Sequence, residues 1–331
     1  MTRTRLVIRT LLACLALRTI LLPIPTLAAD SGQKGLAPRI GVLFTQTAGF
    51  SPITDGLREG LRELGYTDGK TIVLDLRWPK ERTDELPRLA TDLVDGNVTV
   101  LVAAGNAASR AAMQATTTIP VVFMSGDPIT AKLVTSLAHP GGNGTGLYVP
   151  TPELEAKRLE LLHQLAPGAH RVAYLWNSTN PLAARTLEEV RRAATALDLQ
   201  LLVIDTRTGA ELDAALKRLS TKTADGVLVG SDPLFSSANI GRAMHQARLP
   251  AAYPWSESRD HGALLSYGVS AKELGRRAAV YVAKILKGAK PVDIPVEEAS
   301  KFELIIDLRE AKALGIEVPM ELLVRANEVI R

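Results

Sequence analysis

The 331-residue chain contains one cysteine, Cys14, and it falls within the first thirty residues. A lone thiol excludes an internal disulfide, and a chain of this length can rely on its apolar core instead. Histidine is also scarce. The five histidines, His139, His163, His170, His245 and His261, form no HxxxH or HxH pair and none ends a predicted strand, so no metal and no cofactor is expected. A GxSxG elbow is missing, and Ser125 in FMSGDP and Ser231 in VGSDP have no evident base beside them. The stretch between the first predicted strand and the first predicted helix, LFTQTAGFSP, lacks the GxGxxG of a dinucleotide enzyme. These absences exclude the common catalytic classes, and the chain is not expected to be an enzyme. After the N-terminus, no apolar run is long enough to cross a bilayer.

The N-terminus has its own grammar. Arg3, Arg5 and Arg9 precede an apolar run that closes on Ala28 and Ala29, the order of a secretory signal peptide spanning residues 1–29. Arg18 interrupts the run and argues for removal rather than anchoring, with cleavage expected near Ala28 or Ala29. LLAC around Cys14 loosely resembles a lipoprotein box, but few apolar residues precede it, and lipidation ranks second. Four of the 39 basic residues and none of the acidic ones lie in this segment, leaving 35 of each sign in the remainder. The net charge of +4 therefore belongs to the leader, and a neutral mature chain has no charge signature of nucleic-acid or anionic-membrane binding.

Two successive βαβα halves follow. In the first, residues 39–45, 71–78, 98–105 and 119–126 are nearly continuous in apolarity, as parallel strands buried on both faces must be. The intervening SPITDGLREGLRELG predicts a helix capped by Ser51, with Leu57, Leu61 and Leu64 on one face. TDELPRLATDLV, NAASRAAMQA and DPITAKLVTSLA predict three more, the last capped by Asp127. The second half restarts with a helix over 153–165. Strands at 171–177, 201–206 and 226–231 alternate with helices over 181–197, capped by Asn180, and 210–219, and a long helix runs from Ala271 to Lys287. Such a pattern implies two doubly wound α/β lobes. Between them, Gly141, Gly142, Gly144 and Gly146 look at first like a phosphate loop. No helix starts after these glycines, so they read better as a flexible connection.

In open parallel sheets a ligand sits beyond the carboxyl ends of the strands, and with two facing lobes the cleft between them is the natural site. The residues placed there are Thr45, Gln46, Trp78, Gly105, Asn106, Ser125 and Asp127 from the first half, and Trp176, Asn177, Ser231, Asp232 and Trp255 from the second, with Tyr267 and Gly268 near a return crossing. Asp127 and Asp232 each precede proline and also suit helix capping. Hydroxyls, amides, two acids and aromatics at one rim suit a small polar or zwitterionic molecule. A carboxylate would meet helix amides near Asn106, and an ammonium would meet Asp127 or Asp232. Glu297 and Glu298 read as a solvated face.

RIGVLF, GLREGLRELGYTDGKTIVLDLRW, TTTIPVVFMSGDPI, SLAHPGGNGTGL, LPAAYPWSE and the C-terminal run from Arg276 to Pro319, with the ending LLVRANEVI, resemble the substrate-binding proteins of ABC transporters, in the branch similar to tryptophan/tyrosine uptake. The resemblance implies a type I periplasmic-binding fold: lobe 1 from 38–147 and 269–298, lobe 2 from 148–267 and 299–331, joined by three crossing strands. It implies an exported, periplasmic monomer that captures a small-molecule solute and presents it to an ABC permease and its ATPase. The alternative on the same fold is a periplasmic solute sensor feeding a membrane signalling kinase. Many relatives have SGTPA where this chain has AGNAA at 104–108, and the lost hydroxyl breaks any simple transfer of ligand identity.

Overall fold

Continuous apolar strands must be covered on both faces, and the architecture follows from that requirement. The structure is a computed structural model that describes residues 37–45, 52–80, 83–236, 238–256 and 262–331; the signal segment, Ser51 and Gln46 lie outside the described residues. The first sheet orders β1 (Arg39–Phe44), β2 (Val73–Arg77), β3 (Val100–Ala104), β4 (Val121–Ser125), β5 (Gly144–Tyr148) and the short β11 (Glu297–Glu298) as β11-β5-β4-β3-β1-β2, all parallel. Central β3 and β4 are buried throughout. Strand β2 was expected to be covered on both faces, but as the sheet edge it is half-exposed: Leu74 and Leu76 face the core while Asp75 pairs with Arg39 at 2.7 Å.

The second sheet runs β13-β12-β10-β9-β8-β6-β7, built from β6 (Arg171–Trp176), β7 (Gln200–Asp205), β8 (Gly226–Val229), β9 (Ala251–Tyr253), β10 (Leu265–Val269), β12 (Phe302–Asp307) and β13 (Glu328–Ile330). It is parallel except where β10 meets β12. The chain passes between the sheets after Tyr148, after Val269 and after Glu298.

Helices α1 (Pro52–Glu63), α2 (Leu86–Asp95), α3 (Asn106–Ala115) and α8 (Ala271–Leu286) serve the first sheet. Helices α4 (Thr151–Leu165), α5 (Ala183–Ala196), α6 (Gly209–Arg218), α7 (Ala238–Ala247), α9 (Leu308–Leu314) and α10 (Met320–Arg325) belong to the second. Leu57 and Leu61 are buried as the helical spacing requires, but Leu64 lies past the end of α1 and is exposed.

Two expectations fail for local reasons. Residues 128–138 make turns rather than a helix. Asp127 caps the first turn through Ile129 and Thr130, then Lys132 adopts a φ of 56° and reverses the chain, in a run rich in β-branched side chains that disfavour helix. The glycine-rich stretch is likewise more than a flexible connection, since its second half is β5 itself. At Gly146, φ is 150° and a Cβ would lie 2.0 Å from the Phe123 carbonyl oxygen, so only glycine lets β5 pair this closely with β4.

Helix α8 packs on α1 with backbone against backbone. A Cβ at Gly56 would meet the Lys272 carbonyl oxygen at 1.8 Å, and one at Gly275 would meet that of Ile53 at 2.0 Å. Neither obstacle is a side chain that can swing away. Gly275→Ala is therefore expected to destabilise by roughly 1–3 kcal/mol or more through forced backbone separation. An unchanged urea midpoint would contradict this packing.

Charged staples close the lobe surfaces. The Arg171 guanidinium grips Asp225 and holds its carboxyl below the usual range. At Asp307, burial pushes the carboxyl up, but bonds from the Arg309 side chain and the amides of Arg309 and Glu310 outweigh it and leave the pKa lowered. A carboxyl lowered on folding adds stability above its unfolded pKa and loses it as pH falls through the folded value. The urea midpoint is expected to drop as pH falls below the ordinary aspartate value of 3.8, less steeply in Asp225→Asn.

Candidate functional site

The carboxyl ends of β3 and β4 in the first lobe face those of β6 and β8 in the second. Helix α3 begins here because Gly105, at φ 97°, turns the chain out of β3; a Cβ on it would lie 2.5 Å from the Thr45 hydroxyl oxygen. That hydroxyl accepts a bond from the Ala108 amide at 3.0 Å and so acts as a remote cap on the first turn of α3. The Asn106 side chain is held by its Oδ1, which accepts from the Gly126 amide at 2.6 Å. Its side-chain amide then donates across the cleft to Asn180 at 3.2 Å.

In the second lobe the acceptor of this relay is Asp232. Its Oδ2 accepts from Asn180 at 2.8 Å, and its Oδ1 accepts from Asn177 at 3.1 Å and from the Leu234 amide at 3.0 Å. The carboxylate is buried and, among the described residues, forms no ion pair. Asp127 differs. Its oxygens are taken by Ile129, by Thr130 and by Arg185 from the other lobe. Burial raises its pKa, but those hydrogen bonds and Arg185 together lower it.

Behind Ser231 lies a buried ion pair. Glu155 and Arg158, both on α4, approach to 3.5 Å with side-chain exposures of 2% and 1%. Glu155 accepts from the Ser231 amide at 2.6 Å and from the Tyr174 hydroxyl; Arg158 donates to the Ser231 hydroxyl at 2.7 Å and to the Tyr267 carbonyl at 3.1 Å. Burial pushes the Arg158 guanidinium down, opposed by Glu155, and raises the Tyr174 phenol, with Glu155 adding to the rise. The pair neutralises itself beneath the cavity floor.

Asn106, Trp176, Asn177, Ser231 and Asp232 line one cavity with Glu155, Asn180 and Leu182. Space for a water-sized sphere inside it is only about 20 Å³, so a solute of several heavy atoms enters when the edges part. Thr45, Gly105 and Ser125 stand behind this wall, Ser125 donating to the Gly126 carbonyl at 2.9 Å. Trp78 stacks on Phe44 at 5.1 Å and, with Trp255, packs on the first lobe's core rather than lining the cavity. Tyr267 packs against Phe302, and Gly268 lets β10 approach the Pro254 carbonyl, where a Cβ would come within 1.9 Å. Gln46 lies outside the described residues. Glu155, Arg158, Asn180 and Leu182 went unnoticed as site residues in the sequence. Asn180 reads there only as a helix cap, and the one signal for the ion pair was two opposite charges at i, i+3 on α4, a spacing that the exposed pair Lys157 and Glu160 shares. The expected solvated face at Glu297 and Glu298 is an exposed edge strand, with Glu298 accepting from Tyr148 at 2.6 Å.

Facing carboxyl edges, a polar relay across them and an enclosed carboxylate define a two-lobed substrate-binding protein of the type I periplasmic-binding fold. The chain belongs to the ABC transporter substrate binding protein family, whose sequence model matches residues 40–330. It is 26% identical over 271 residues, 79% of this chain and 76% of the other, to a tyrosine-binding protein of Clostridioides difficile (strain R20291). The structure of an ABC domain in complex with L-Trp from Streptococcus pneumonia matches with a TM-score of 0.80 at 26% identity, covering 88% of this chain and 99% of that one. A conserved domain protein from Vibrio cholerae matches with a TM-score of 0.81 at 27% identity and the same coverage. Proteins of this class bind substrates and do not convert them. Among the described residues no helix is long and apolar enough to cross a membrane.

Arg158→Met leaves the Glu155 charge buried without its partner and is expected to cost about 3–5 kcal/mol. The double change Glu155→Leu/Arg158→Met is expected to cost less than that single change. Urea unfolding of the two variants checks the order.

Proposed function

We propose that the chain is the exported, solute-capturing component of an ABC importer, and that its cargo is a small zwitterion, an amino acid with an apolar or aromatic side chain. The observation that carries this reading is Asp232: a buried carboxylate held only by neutral donors, in a cavity whose other lining acid, Glu155, already has a cation in Arg158. Such a group attracts a ligand ammonium, because a new ion pair there replaces no existing one. The start of α3, with the positive end of its dipole and Asn106 lining the cavity, suits the carboxylate. The tyrosine-binding and L-Trp-bound relatives support an amino acid as the class of cargo.

On this reading residues 38–147 with 269–298 and residues 148–267 with 299–331 are the two jaws. Asn106, Asn177, Ser231 and Asp232 touch the solute, and Gly105 and Ser125 shape the wall. A solute contacted by both jaws only when they are shut stabilises the shut form by that difference in contact. A signal segment over residues 1–29, cut near Ala28 or Ala29, would deliver a periplasmic monomer to an inner-membrane permease and its ATPase.

A thermal-shift series of the purified protein against the twenty amino acids tests the cargo. At a hundredfold excess over Kd, binding adds about 2.7 kcal/mol and raises the midpoint by several degrees. Asp232→Asn, which keeps the side chain's size but removes its charge and one of its two acceptor oxygens, is expected to weaken the hit by about 30-fold or more. A series without a single shift, or equal affinity in the variant, counts against the reading.

A further inference from the structure

The lobes touch through side chains of the protein itself, and the contacts cluster. Asn180 and Leu182, just before α5, and Arg185, in its first turn, face Asn106, Gly126 and Asp127 of the first lobe. Asn106 donates to Asn180 at 3.2 Å, and a Cβ placed on Gly126 would lie 2.1 Å from the Leu182 δ-carbon, so the isobutyl group fills the space that glycine leaves. Leu182 is 2% exposed in this position. Arg185 Nη1 donates to Asp127 Oδ2 and, at 3.1 Å, to the Thr130 hydroxyl oxygen.

We propose that Arg185 is a closure latch: it pairs with Asp127 across the cleft and sets how tightly the protein holds its solute without touching that solute. The proposal rests on the reading that the lobes close around a ligand. Three features carry it. Neither Arg185 nor Asp127 lines the cavity, so the pair acts outside the solute's contact surface. The acceptor is pre-organised, because the Ile129 and Thr130 amides hold Asp127 Oδ1 at 3.0 and 3.1 Å and the Thr130 hydroxyl donates to Oδ2 at 2.7 Å. The donor is steered too, since Glu153 of the same lobe stands 3.8 Å from Arg185 Nη2. An interaction present only when the jaws meet favours the shut form, and the apparent affinity for any solute rises in proportion to the shut population.

The side chains are 44% and 21% exposed, so solvent screens the pair and its effect on the open–shut equilibrium is modest, roughly two- to fivefold. Fluorescent labels on Lys70→Cys and Lys222→Cys, one in each lobe, in a chain carrying Cys14→Ser, report the interlobe distance. Arg185→Gln is expected to move the distribution toward the open form by that factor. Asp127→Asn, which retains the turn cap, is expected to do the same, and the double variant no more than either alone. Molar salt is expected to open the unsubstituted protein and leave Arg185→Gln unmoved. With L-tyrosine and L-tryptophan as probes, Kd is expected to rise two- to fivefold in each variant. An unchanged distance distribution in Arg185→Gln, or additive shifts in the double variant, overturns the latch. The distance readout needs no solute, so a failure of the amino-acid reading and a failure of the latch are told apart.

Discussion

Backbone contact between α1 and α8 turns two successive half-chains into interlocked lobes. The helices are more than two hundred residues apart in sequence, yet Gly56, Gly60 and Gly275 bring their backbones so close that no side chain fits between them. Because α8 must lie there, the chain has to leave the second sheet after Val269 and return to it after Glu298. Helix α8 and the short strand β11 thus tie the first lobe to two adjacent strands of the second, β10 and β12. Several linkers at one edge restrict the lobes to a hinge-like motion, whereas a single linker would let them tumble independently.

The hinge leaves the carboxyl edges as the surfaces that meet, and their chemistry follows one charge rule. Burying an ion costs free energy unless a partner compensates it. Glu155 has Arg158 beneath the floor, and Asp127 has Arg185 at the rim. Asp232 has only amides, so the cleft retains one carboxylate able to take a cation from outside. On the proposed reading, a neutral wall with a single unmatched charge would discriminate by charge placement, and the small room left around it, bounded by Leu182 and Trp176, would add discrimination by size.

Much of the scaffold could be read in advance because it depends on near neighbours in the chain. Residues 106–115 form a helix with the expected bounds, and Val100–Ala104 and Val121–Ser125 are strands buried on both faces, as their unbroken apolarity implied. Asp127 and Asp232 both cap the turns that follow them, since an aspartate before proline has few other ways to satisfy the next amides. The helix expected over 128–138 failed where local signals compete: a capping aspartate starts a turn, and β-branched residues with a left-handed Lys132 end it at once.

The sequence alone determined the class of fold and the two-lobe plan, and gave the edges on which a site is expected, because apolar period, caps and turn residues act over a few positions. Only the tertiary structure decided which polar groups share a partner. Asn106 and Asn180 are seventy-four residues apart, and Asn177 and Asp232 fifty-five. Which acid keeps its charge free and which is matched depends on the cations the fold brings within about 4 Å, and no local pattern carries that distance.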